Sequence, residues 1–97
     1  MEKTYAISLL GRLWRDSFGN TYHTARIQVN GEFVHFTPVA YGYDRQYEET
    51  AKHWLTEHGY IATTFLPVPP TLGPYCEYKG IKFDSISVDV KRKKELA

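Results

Sequence analysis

Asn30-Gly31 restricts this chain more than any other feature of its sequence. The dipeptide supplies the two positive-φ positions of a type I′ turn, whose twist matches that of the strands it joins. It sits in the middle of TYHTARIQVNGEFVHFT, residues 21–37, which therefore reads as two antiparallel strands. With Asn30 and Gly31 as the loop, Val29 faces Glu32, Ile27 faces Val34 and Ala25 faces Phe36. Side chains alternate along a strand, so Arg26 with His35 and Gln28 with Phe33 fall on the other face. One face is aliphatic and reads as core, whereas the other is aromatic and basic.

Lys3 to Arg15 reads as the preceding strand, with Tyr5, Ile7, Leu9 and Leu13 on odd positions. Asp16-Ser17-Phe18-Gly19-Asn20 has turn chemistry. A five-residue loop there sets Arg15 opposite Thr21, Leu13 opposite His23, Gly11 opposite Ala25, Leu9 opposite Ile27 and Ile7 opposite Val29. The apolar faces of the two hairpins then coincide, and a one-residue slip would turn the whole set to solvent. Gly11 marks a bend or a close approach. The opposite face carries Arg12, Trp14, Tyr22, Thr24, Arg26, Gln28, Phe33 and His35, with Leu10 beside them.

Asp44 is the expected N-cap of a helix from Arg45 to His58, with Tyr47, Ala51, Trp54, Leu55 and His58 as its buried stripe. Glu48 with Lys52 and His53 with Glu57 are the expected surface pairs, and Gly59 suits the left-handed position beyond the helix end. Phe65-Leu66-Pro67-Val68-Pro69-Pro70 is too proline-rich for helix or central strand and is expected to form an apolar covering loop. Pro74 to Lys79 is expected as a short second helix ending at Gly80. Ile81 to Val90 is expected as the last strand. Its apolar residues change phase near Asp84-Ser85, which a bulge there would absorb. Residues 91–97, including Lys91-Arg92-Lys93-Lys94, read as a flexible basic tail. The expected architecture is a single α+β domain over residues 1–97, in the order βββααβ. Its antiparallel sheet is a three-strand meander plus a C-terminal strand of unassigned pairing, with helices on one face.

Chemistry is harder to find. A formal charge of +1 fits neither a strongly basic nucleic-acid binder nor an acidic DNA mimic. Cys76 is the single cysteine, so no intrachain disulfide forms, and a cytoplasmic setting is expected. No apolar run nears the ~20 residues of a membrane span, and the start lacks a signal-peptide pattern. His53 and His58 lie roughly 140° apart on a helix, and His23 and His35 fall on opposite faces in this register, so no metal site is expected. Cys76 lacks a neighbouring base, Glu48 and Glu49 diverge, and no glycine loop cradles phosphate. Neither a cofactor nor enzymatic activity is expected.

Asn20-Thr21-Tyr22-His23, Val29-Asn30-Gly31-Glu32, Tyr41-Gly42-Tyr43-Asp44 with Tyr47, and the ending Val88 to Leu96 together resemble a group of short proteins encoded by bacteriophages and prophages, of unassigned function. The resemblance implies a cytoplasmic, non-catalytic protein that binds and inhibits a host macromolecular complex, as anti-CRISPR proteins do. It carries over no functional residue. The expected binding face is Arg12, Trp14, Tyr22, Arg26, Phe33 and His35, residue types that dominate interface hot spots. Its expected partner is a host protein or complex. The alternative is nucleic acid, with bases stacked on the aromatics and phosphates held by arginine. A plainer alternative also stays open, in which residues 60–74 or a second copy of the chain cover these aromatics.

Overall fold

The computed structural model describes residues 3–62 and 71–96. The described residues form strands β1 (Ala6–Arg15), β2 (Thr21–Val29), β3 (Glu32–Phe36) and β4 (Ala40–Tyr41), helices α1 (Gln46–Glu57) and α2 (Leu72–Lys79), strand β5 (Lys82–Val90) and a 3-10 turn, Lys93–Leu96. The architecture is α+β. The sheet order is β3-β2-β1-β5, with β4 pairing β2 beyond the end of β3. The proline-rich segment expected as a covering loop lies at 63–70, outside the described residues.

The β1–β2 hairpin has the expected register throughout, from Ile7 opposite Val29 to Arg15 opposite Thr21. Asn30 and Gly31 take φ of 54° and 82°, as a type I′ turn requires. Asn30 has a second role. Its Oδ1 accepts hydrogen bonds from the N–H groups of Tyr5 and Ala6, at 2.8 and 3.1 Å. Its Nδ2 donates to the Lys3 carbonyl at 2.9 Å. The turn residue therefore ties down the start of β1.

Three expectations about the sheet are corrected. First, it is mixed rather than antiparallel, because β5 runs parallel to β1, from Ala6 opposite Lys82 to Trp14 opposite Val90. The end of α2 delivers the chain beside the start of β1. The Ile81 N–H bonds the Cys76 carbonyl and the Lys82 N–H bonds the Tyr5 carbonyl, so β5 enters from that end. Second, β2 and β3 keep the expected pairs only at Val29–Glu32 and Gln28–Phe33, and then shift so that Ile27 faces His35 and Arg26 faces Phe36. Val34 is the extra residue of this bulge, which turns two consecutive side chains toward the helix: Val34 onto the core and His35 onto Trp54. Ala25 is met by Thr37 instead of Phe36, accepting from the Thr37 N–H and donating its own N–H to Thr37 Oγ1. Third, the register of β5 against β1 runs without a break. The expected bulge at Asp84-Ser85 is absent, and Ile86, Val88 and Val90 face away from the helices.

The helices cover the other face. Ile7, Leu9, Ala25, Ile27 and Val29 meet Tyr47, Ala51 and Leu55 of α1 and Leu72, Tyr75 and Cys76 of α2. Gly11 is the close approach anticipated from sequence: a Cβ there would lie 2.5 Å from Cγ of the Tyr47 ring. Helix α1 departs from expectation at both ends. Asp44 sits at φ 58° in the preceding turn, and the capping position is Arg45, without a side-chain cap. Trp54 is half-buried and His58 exposed, while Lys52 is buried and pairs with Glu49 at 2.8 Å. Helix α2 starts two residues before Pro74 and ends, as expected, on a left-handed Gly80.

The expected flexible tail is also corrected over its described part. Leu96 is fully buried, Thr24 Oγ1 donates to its carbonyl at 2.7 Å, and Thr24 itself is buried. The Glu95 carboxylate accepts the N–H groups of Lys91 and Arg92, which turns the chain sharply after β5. The 3-10 turn is thereby folded onto the outer face of the sheet, the face turned away from the helices. A basic run anchored by one leucine reads from sequence as a solvated end, because a single apolar residue gives no periodicity.

Candidate binding surface

The outer face carries five of the six residues expected to bind a partner, in two groups separated by the 3-10 turn. Arg12 lies under the turn, with Nη1 3.5 Å from the Glu95 carbonyl. Toward the β1–β2 loop, Trp14 stacks on Tyr22 with ring centroids 6.0 Å apart, and Tyr22 meets the edge of Tyr41 at 5.6 Å. At the far end of the sheet, the Arg26 guanidinium lies 5.0 Å from the centroid of the exposed Phe33 ring. That is a cation–π contact.

His35 does not belong to this face. The bulge at Val34 sends it to the helix side, where its ring lies parallel to Trp54 at 4.4 Å. His58 also stacks on Trp54, at 4.1 Å, with Tyr60 alongside. His23, expected to face away from His35, shares its side of the sheet. It is buried, with Nδ1 3.1 Å from the Gly42 carbonyl and Nε2 2.7 Å from Thr50 Oγ1. Its two ring nitrogens are thus spent on tying β2 to the chain around α1. Among the described residues no group of three metal-ligating side chains converges.

Sequence reasoning missed three exposed rings, of which Tyr41 joins the Trp14–Tyr22 pair. Phe18 projects from the tip of the β1–β2 loop and is 88% exposed, while Tyr41 and Tyr43 are 64% and 70% exposed. Tyr41 reaches Tyr22 because β4 pairs with β2, with Tyr22 opposite Tyr41. A two-residue strand after a proline has no periodicity to reveal it. The excess of tyrosine was the available signal. Tyr41 thus extends the Trp14–Tyr22 pair into a row of three rings, the residue types found at interface centres.

A second cluster lies between α1 and β5. Ser85 Oγ donates to Glu48 Oε2 at 2.6 Å and lies 2.7 Å from the Tyr47 hydroxyl. Burial pushes the Tyr47 hydroxyl above its ordinary range, opposed by the Ser85 hydrogen bond and aided by the Glu48 charge. Neither the serine nor the carboxylate has a histidine to relay a proton, so the cluster fastens the first turn of α1 to β5 rather than forming a nucleophile. Cys76 is also inert. Burial alone pushes its thiol up to about 11, which leaves negligible thiolate near neutrality. No described helix is long and apolar enough to cross a membrane.

Comparison with protein-family models, with curated proteins and with solved structures finds no match to this chain.

Proposed function

We propose that this protein is a non-catalytic binding module that engages another macromolecule through the aromatic end of its outer sheet face. The observation that carries this reading is the row of rings Trp14, Tyr22 and Tyr41 on the outer face, with Tyr41 64% exposed and the Phe18 ring 88% exposed at the tip of the β1–β2 loop. An apolar ring in water gains on burial, by roughly 25 cal/mol per Å² removed from solvent. The Trp14, Tyr22 and Tyr41 rings are held on strands and lose little conformational freedom on binding. The resemblance to short phage-encoded proteins supplies the class of partner, a protein complex of the bacterial host, and an inhibitory, anti-CRISPR-like role.

Nucleic acid is the second reading, favoured by one observation: the Arg26 guanidinium over the exposed Phe33 ring, a pairing able to hold a phosphate beside a stacked base. The two readings separate by salt. Phosphate contacts release counterions, so nucleic-acid binding falls steeply between low and moderate salt, whereas an aromatic-anchored protein contact changes little.

Phe18→Ser and Tyr41→Ser alter side chains that are mostly in water, so each variant is expected to melt like the parent chain. Capture of a host protein from bacterial lysate is expected to fall at least tenfold in each. Retained capture by both variants would remove the aromatic end as the site.

A further inference from the structure

Twelve basic and eleven acidic residues nearly cancel over the whole sequence, but folding does not spread them evenly. Helices α1 and α2 carry Glu48, Glu49, Glu57 and Glu77 on one side of the sheet. The outer face gathers Arg12, Arg26 and the run Lys91-Arg92-Lys93-Lys94, half of all the basic residues. The C-terminal turn brings this about. All four residues of the run are exposed, and Leu96 and Thr24 seat the turn on the outer face over Arg12. The acidic residue beside them is Glu95, whose carboxylate is engaged by the Lys91 and Arg92 N–H groups. Beyond the turn the face opens into a groove of about 470 Å³, floored by Leu10 and Ile86 and flanked by Arg26 and Gln28. Its one carboxylate, Asp84, lies two positions from Lys82 on the same face of β5, where the two offset each other. The exposed Phe33 ring stands at the rim, because Phe33 pairs with Gln28, and the Arg26 guanidinium lies over it.

We propose that this part of the outer face binds single-stranded nucleic acid, an assignment that rests on the nucleic-acid reading above and gives it a path. Phosphates lie on the basic turn and on Arg26, and bases on Phe33 and the apolar floor of the groove. A polyanion responds to the local field of clustered cations, not to the net charge of the chain. Each phosphate neutralised by lysine or arginine also releases condensed counterions. A base stacks on any exposed ring face, and arginine adds a cation–π contribution. In a duplex those base faces are already stacked, so an exposed ring beside an apolar floor selects unpaired bases. From Val90, where the basic run begins, to Asp84 is six residues along β5, or ~20 Å. That is room for about four nucleotides, the short end of usual site sizes.

The test is fluorescence anisotropy of labelled oligothymidine and oligouridine with the full chain. Binding on the order of micromolar is expected, falling roughly fifty-fold between ~50 and ~200 mM salt as about four phosphates release their counterions. Lys93→Gln combined with Lys94→Gln is expected to weaken binding at least tenfold and to flatten its salt dependence. Phe33→Ser is expected to weaken it at least fivefold with the salt dependence unchanged, because stacking releases no counterions. Both variants alter exposed side chains, so their melting temperatures are expected to match the parent's. Lys79→Gln, which removes an exposed cation from α2, is expected to leave binding unchanged. A parent chain that binds neither oligonucleotide at low salt would overturn the proposal. So would equal binding of a duplex, or equal weakening by Lys79→Gln. Equal binding of polyglutamate would overturn it too, in favour of an acidic protein segment. None of the substituted residues belongs to the Trp14–Tyr22–Tyr41 row. Host-protein capture by Phe18→Ser and Tyr41→Ser is therefore read independently, and either reading can fail alone.

Discussion

Asn30 and Gly11 illustrate how single positions act beyond their local geometry. Asn30 tolerates the left-handed conformation and uses both ends of its amide on the chain entering β1: two N–H groups on its oxygen, one carbonyl on its nitrogen. Asn30→Gly keeps the turn and removes those bonds, so a loss of ~1–3 kcal/mol is expected from chemical denaturation, the range for unpairing backbone groups. A change of a few tenths would show that water replaces the amide without cost. Gly11 is required for a different reason. The Tyr47 ring fills the place of a side chain at that position, so Gly11→Ala forces the ring off α1's inner face. A loss of ~1–3 kcal/mol or more is expected from such overpacking. A melting temperature equal to the parent's would mean the ring moves aside freely.

Among the elements, the 3-10 turn has the clearest separable role. It contributes one buried side chain, Leu96, and one buried hydrogen bond, from Thr24. Leu96→Asp is expected to cost ~1.5–3 kcal/mol, the value of exposing a leucine. The rest of the sheet is expected to stay folded, because the core between sheet and helices does not include this turn. Hydrogen exchange at residues 93–96 should rise toward unprotected rates while β1 and β2 keep their protection. Loss of protection throughout the sheet would instead make the turn part of the cooperative unit.

For the whole molecule, the buried groups with shifted ionisation set the alkaline limit of stability. Both Cys76 and Tyr47 have raised folded values, so each stays protonated in the native state after its unfolded counterpart has ionised. The unfolded chain then binds fewer protons, and stability falls as pH rises. For Cys76 the contribution is complete below about 9 and is lost as pH approaches about 11. Denaturation midpoints measured across this window should decline, and the thiolate ultraviolet absorbance of native protein should titrate near the upper end. A thiol titrating in its ordinary range in the native state would place Cys76 outside the core.

The sequence alone determined the parts in which local chemistry and period agree. The Asn30-Gly31 turn, the β1–β2 register, the apolar face of α1 at Tyr47, Ala51 and Leu55, and the stop at Gly80 all follow from short-range rules. The tertiary structure decided everything that depends on which surface meets which. A bulge at Val34 moved His35 from the outer face to Trp54, because two side chains, not one, had an apolar place to go on the helix side. The direction of β5 came from where α2 ends, not from any residue in β5. Ile86 and Val88 have the alternation of a buried strand in a place where nothing among the described residues buries them. Leu96 drew a basic segment onto the sheet with one apolar side chain. The candidate surface was half legible for the same reason: strand period revealed Trp14 and Tyr22, whereas Tyr41 sits on a two-residue strand and Phe18 in a turn, where periodicity carries no information.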